Sequence, residues 1–155
     1  MLIQIDLQNT VDSQSLPKVS QMQAWLSVAL KEINTKFEHP EITIRVVSPD
    51  ESRQLNLTYR GKDKPTNVLS FPFEAPEMIP IEELDEFLGD LVVCEQIIID
   101  EANSQHKTIE SHWAHMLIHG VLHLQGFDHI EKQQAEQMEA MEIGILNELG
   151  FPNPY

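Results

Sequence analysis

The chain has 155 residues, of which 41% are hydrophobic, with a single cysteine and a formal net charge of -15. This length suits one domain with a sizeable core, and one cysteine excludes an internal disulfide. The negative charge argues against a protein that coats nucleic acid through a large basic face, and no apolar run approaches the roughly 20 residues of a membrane span. Because we see no signal peptide and a lone thiol suits a reducing compartment, we expect a cytoplasmic protein.

The first part of the chain carries clear periodicity. Residues 2–7 and 41–47 contain alternating apolar positions, which predict half-buried strands. Between them, an apolar stripe at helical spacing predicts a helix capped by Ser20. A helix-start signature of serine, proline and glutamate predicts a second helix from Ser48 to about Thr58.

The remaining elements follow in the order loop, strand, loop, strand and three helices. Glycine, proline and charge predict a loop over 59–67, and Pro72 indicates that the third strand lies at a sheet edge or contains a bulge. The predicted ranges are an edge strand at 68–73, an exposed acidic loop at 74–86, a strand at 87–93, and helices at 95–104, from Thr108 onward, and at 131–149. This order predicts an α+β fold, a single domain over 1–155 with a mixed four-stranded sheet and about five helices.

Three histidines near the end of the Thr108 helix have the spacing H-x-x-x-H-x-x-G-x-x-H. His119 and His123 are four residues apart and share one helix face, and Gly126 suits the left-handed conformation that ends a helix. The chain can then reverse and return His129 towards the other two rings. Three imidazoles on a divalent ion leave a fourth position for water, as in catalytic zinc sites. The spacing predicts a zincin-like metal site at a helix end.

The residue after the first histidine separates this pattern from the metzincin peptidases, which share the spacing. Those enzymes have glutamate there, where it acts as general base on metal-bound water. This chain has Gly120, which cannot accept a proton, so a peptidase is disfavoured. A metal-storage module is disfavoured too, because the chain has no thiolate cluster.

A short cationic segment is the second candidate site. Arg60 can stabilise the extra negative charge of a phosphodiester transition state, or form a surface salt bridge. Lys62 and Lys64 are phosphate-positioning or solvated charges. Asp128 can orient a ligand histidine, act as a base or structure its loop, and His115 is best explained by packing.

Three segments resemble the YbeY family of bacterial endoribonucleases. They are residues 56–72, NLTYRGKDKPTNVLSFP, residues 88–94, LGDLVVC, and residues 119–129, HGVLHLQGFDH. The similarity extends over nearly the full length. Two positions depart from the family: Phe127, where tyrosine is more usual, and Asn67, where many members have aspartate.

This resemblance implies a metal-dependent, single-strand-specific endoribonuclease that acts in small-subunit ribosomal RNA 3′-end maturation and ribosome quality control. It implies one zinc ion held by His119, His123 and His129, and a catalytic Arg60. The implied partners are single-stranded ribosomal RNA and the ribosome or its small subunit, with no membrane or DNA. The nucleophile is either metal-bound water or the RNA 2′-hydroxyl, and the second route is impossible on DNA.

Two other functions stay open at this stage. One is a non-enzymatic ribosome-assembly factor in which the metal holds the C-terminal turn. The other is a metallohydrolase that acts on a different substrate.

Overall fold

The computed structural model describes residues 2–73 and 86–155, and these form four strands and five helices in the predicted order. In chain order they are β1 (Gln4–Asn9), α1 (Val19–Glu32), β2 (Glu41–Val46), α2 (Pro49–Arg60), β3 (Val68–Pro72), β4 (Phe87–Val93), α3 (Glu95–Ser104), α4 (Ile109–Leu124) and α5 (Lys132–Glu148). The predicted acidic loop lies outside the described residues except for Glu86. The predicted α+β class and mixed four-stranded sheet are confirmed.

The four strands form one sheet in the order β1-β2-β4-β3. β1 with β2 and β2 with β4 are parallel pairs, whereas β3 runs antiparallel to β4. β3 therefore forms one edge of the sheet, and Pro72 at its end pairs with Gly89. This confirms the edge position predicted from Pro72. Proline suits an edge strand because it has no N–H to give to a sheet ladder.

Two apolar clusters lie on opposite sides of the sheet. Leu91 and Val93 of β4 belong to the main core, which α1 and α4 cover, while Val92 belongs to a smaller cluster with Leu55 of α2. Alternate residues of a strand point to opposite faces, so α2 covers the face away from α4. α4 is the most deeply buried helix, yet no helix in the described part of the chain has the length and apolar character to cross a bilayer.

The helix starts test the predicted caps. The side chain of Ser48 accepts a hydrogen bond from a backbone N–H of the first turn, as predicted. The side chain of Thr108, where the metal-bearing helix was predicted to begin, does the same for α4. The predicted Ser20 cap is wrong: α1 begins two residues earlier, with Lys18 at the cap position. There the side chain of Gln21 accepts the backbone N–H of Lys18 at 2.9 Å, so the cap is satisfied from inside the helix.

α2 ends later than predicted, and this changes the setting of Arg60. Tyr59 and Arg60 continue the helix, because the stop signal is Gly61, whose φ of 69° is left-handed. The N–H of Gly61 returns to the carbonyl of Leu57 at 3.0 Å. The prediction that Arg60 lies on a loop is therefore wrong, and its backbone is held in the last turn of a helix.

Candidate metal centre

The end of α4 and the turn that follows bring three histidines together. The Nε2 atoms of His119 and His123 lie 3.1 Å apart. Gly126, with a φ of 97°, lets the chain reverse after the helix and return His129 to the same place. One ring nitrogen from each histidine lies within 4.8 Å of the others, so the predicted grouping is present.

The three imidazoles fit a divalent metal in spacing and in chemistry. Two nitrogens bound tetrahedrally to zinc at about 2.0–2.1 Å are roughly 3.3 Å from each other, close to the separation found here. Burial lowers the pKa of His123 to about 4, with further lowering from His119 and His129. A neutral ring offers its lone pair to a metal ion without first losing a proton.

A buried carboxylate behind the histidines was missed from the sequence. Glu142 of α5 is 0% exposed, and its Oε1 lies 2.5 Å from Nδ1 of His119. Its Oε2 lies 3.3 Å from Nε2 of His115 and accepts the hydroxyl of Tyr155 at 2.5 Å. The sequence did contain a signal: Glu142 lies four residues after Met138 on the apolar stripe of α5, where a carboxylate needs partners.

The contacts of Glu142 select one tautomer of the His119 ring. Burial alone would raise the pKa of Glu142, but the hydrogen bonds with His115, His119 and Tyr155 bring it down to about 2. Burial, followed by the bond to Glu142, raises the pKa of Tyr155, so its hydroxyl remains a donor. An ionised acceptor at Nδ1 of His119 keeps the ring proton there and leaves Nε2 free for a metal.

The three histidines open onto a cleft of about 700 Å³ that the residues from Thr66 to Pro72 also line. Arg60 lines the same cleft, so the structure brings this one residue of the cationic segment together with the histidines. Lys62 and Lys64 are exposed and lie outside the cleft lining, and their phosphate-binding role stays a prediction.

Asp128, which directly precedes His129 in the turn after α4, also lines the cleft. Its Oδ1 accepts the backbone N–H of His129 at 2.7 Å. Of the three roles considered for Asp128, this contact demonstrates the structuring of the loop. Glu142 occupies the position of a carboxylate that orients a ligand ring.

Gly120 has a packing role that bears on the peptidase alternative. A Cβ at this position would lie 2.8 Å from Cδ2 and 3.1 Å from Cδ1 of Leu91, so α4 passes close beneath β4. The position that carries the base in metzincins is a tight helix–sheet contact in this fold. Any side chain at residue 120 would have to displace core atoms, which argues further against the peptidase alternative.

Comparison with known proteins shows the family of the chain. The sequence matches the protein family described as Endoribonuclease YbeY over residues 4–150. The chain belongs to the YbeY endoribonuclease family. This match spans Arg60, the three histidines and Glu142, and membership implies an endoribonuclease.

A solved structure supports the fold independently. The chain is similar to the solution structure of TM1509 from Thermotoga maritima, titled VT1, a NESGC target protein, at 24% sequence identity and a TM-score of 0.57. The similarity covers 96% of this chain and 91% of that chain. At this identity, the likeness shows a shared fold and carries no residue roles.

Proposed function

We propose that the chain is a metal-dependent endoribonuclease that cleaves single-stranded RNA during small-subunit ribosomal RNA 3′-end maturation and ribosome quality control in the cytoplasm. Residues 1–155 act as one catalytic domain, and His119, His123 and His129 hold one zinc ion. The observation that carries this proposal is the meeting of three ligand nitrogens, within 4.8 Å of one another, with Arg60 in a single cleft.

The chemistry requires stabilisation of negative charge at a phosphate. A bound zinc ion supplies Lewis acidity and positive charge. Arg60 complements it, because a planar guanidinium can donate two parallel hydrogen bonds to the non-bridging oxygens as their charge grows. Glu142 keeps the ring of His119 oriented while this charge develops.

A proton acceptor has to come from elsewhere than residue 120. Among the described residues that line the cleft, Asp128 carries the one carboxylate. Its Oδ1 holds the His129 turn, and its Oδ2 has no such bond to another described residue. We assign the proton-transfer role to Asp128 on this basis.

The charge distribution favours a single strand that enters at one place. A net charge of -15 repels RNA over most of the surface, whereas Arg60 and the metal attract phosphate within the cleft. Lys62 and Lys64 then hold flanking phosphates just outside it. Weak binding to free RNA explains a requirement for the ribosome or its small subunit as the partner that delivers the substrate.

The test is cleavage of a single-stranded RNA by the purified protein, its Arg60→Ala and His123→Ala variants, and a chelated sample. Arg53→Ala is the matched control, because Arg53 lies on the same helix but outside the cleft lining. We expect cleavage by the wild-type protein and Arg53→Ala alone, with all variants folded by circular dichroism. Equal cleavage in every sample would identify a contaminating nuclease and favour the non-enzymatic assembly factor.

The ends of the products distinguish the two nucleophiles. Attack by the 2′-hydroxyl leaves a cyclic phosphate and fails on a substrate with deoxyribose at the cleaved position. Attack by water leaves no cyclic phosphate and tolerates that substitution.

A further inference from the structure

The pairing of β3 fixes which of its backbone groups remain available. The carbonyl of Asn67 accepts the N–H of Cys94 at 2.9 Å, and the N–H of Phe73 donates to the carbonyl of Leu88 at 3.2 Å. Hydrogen-bonded pairs recur at every second residue of an antiparallel ladder. The odd-numbered residues of β3 therefore direct their backbone groups towards β4, and the even-numbered residues direct theirs towards the open edge.

Among the described residues, the outward side of β3 contains one N–H without a described hydrogen-bond partner. The N–H of Val68 lies 2.6 Å from its acceptor, the side-chain oxygen of Asn67, and Pro72 has no N–H. This leaves Ser70, whose N–H has no hydrogen bond to another described residue under this register. An extended peptide that added to this edge would need several outward donors, so the edge is poorly suited to peptide.

Ser70 lies beside the histidine group. Its hydroxyl donates to the carbonyl of Gly120, the residue after His119, at 3.3 Å. Ser70 also lines the cleft that contains His119 and Arg60. The N–H of Ser70, which has no partner in the described part of the chain, is thus a fixed partial positive charge on a residue that lines the same cleft as the predicted metal and the guanidinium.

We propose that the backbone N–H of Ser70 donates a hydrogen bond to a non-bridging oxygen of the RNA phosphate at the cleavage site. This inference rests on the proposed function and adds a second hydrogen-bond donor beside Arg60. A strand amide is held rigidly by its ladder, so it needs no reorganisation as charge develops on the phosphate. The ligand is a phosphodiester because Arg60 and the metal ion that the three imidazoles would hold, which share this cleft, also attract an anion.

The sharpest test changes one atom. Alanine and lactic acid at position 70, the second introduced by nonsense suppression, differ by one backbone group, because lactic acid places an ester oxygen where alanine has its N–H. The ester also makes the carbonyl of Leu69, which faces β4, a weaker acceptor. The Ser70→Ala protein is the control for loss of the hydroxyl contact with Gly120. Ser70→Pro is a second route to the same loss, since proline is tolerated where an edge N–H points away from the sheet.

We expect the lactic acid protein to have a kcat for single-stranded RNA lower than that of Ser70→Ala by on the order of 100-fold. Zinc content should be the same for both, which a merely structural role would not give. Equal kcat in the two proteins, with wild-type protein active, would overturn the inference and leave the proposed function standing. If wild-type protein does not cleave RNA, both proposals fail together.

Discussion

Helix α4 makes three histidine–glutamate contacts, and two of them, those of His112 and His119, have the same chemistry in different settings. Nε2 of His112 lies 2.9 Å from Glu101 of α3, and Nδ1 of His119 lies 2.5 Å from Glu142 of α5. Each pair joins α4 to a neighbouring helix. A histidine–carboxylate contact by itself is therefore not diagnostic of a functional site.

The two pairs differ in what the second ring nitrogen faces. The side chain of His112 is 3% exposed, and its Nδ1 has no hydrogen-bond partner among the described residues. The side chain of His119 is 23% exposed, and its Nε2 lies 3.1 Å from Nε2 of His123, where both residues line the cleft. Burial lowers the pKa of His112, which suits a neutral structural ring. The opening and the converging nitrogens distinguish the metal centre.

His123→Ala should have the largest effect on zinc affinity. Removing one of three ligands should reduce zinc affinity by more than the roughly 10–100-fold that follows loss of a residue that only orients a ligand. The fold should persist, because the half-buried His123 lies at the rim of the core. Zinc content after dialysis and circular dichroism measure the two quantities, and an unfolded variant would instead favour a structural metal.

Glu142→Gln and Glu101→Gln compare the carboxylates directly. Glu142→Gln should lower zinc affinity by roughly 10–100-fold, because the amide no longer fixes the proton of His119 at Nδ1. Glu101→Gln should leave zinc affinity unchanged. Competition with a chromogenic chelator gives both affinities, and the same loss in the two variants would abolish the distinction between the pairs.

His112→Gln should act on stability alone. The substitution retains a donor near Glu101 but disturbs a buried hydrogen bond to a charged group, at a cost of about 1–2 kcal/mol in the free energy of unfolding. Urea denaturation measures this cost. A change in zinc affinity would show that the two pairs are coupled along α4.

Tyr155→Phe should have the smallest effect, because Glu142 keeps its contacts with His115 and His119. The buried carboxylate loses one donor, so we expect a decrease in zinc affinity of less than about tenfold, with a small loss of stability. The same chelator competition measures it. A loss of zinc affinity as large as that of Glu142→Gln would show that Tyr155 contributes as much to zinc binding as the carboxylate does.

Local signals made much of the fold predictable. The Ser48 cap, the start of α4 at Thr108, the edge position of Pro72 and the three histidines each depend on signals over a few residues. The predicted end of α2 is too early because the charged segment with its glycine and proline resembles a loop, although Gly61 alone determines where the helix stops.

The contacts of Glu142 could not be predicted from the local sequence pattern. Its partners His119 and Tyr155 are 23 and 13 residues away in sequence. They meet because α5 docks against α4 and the chain then folds back. A polar residue on the apolar stripe of α5 indicates that a partner exists, but the helix packing determines which one.

The most direct test of the central claim is a zinc titration of metal-free protein, with cleavage of single-stranded RNA measured at each step. We expect activity to be absent at the start, to rise in proportion to zinc and to stop rising at one equivalent per chain. Arg60→Ala should bind the same equivalent and remain inactive. Full cleavage by metal-free protein, or one bound equivalent without cleavage by the wild type, would contradict the account.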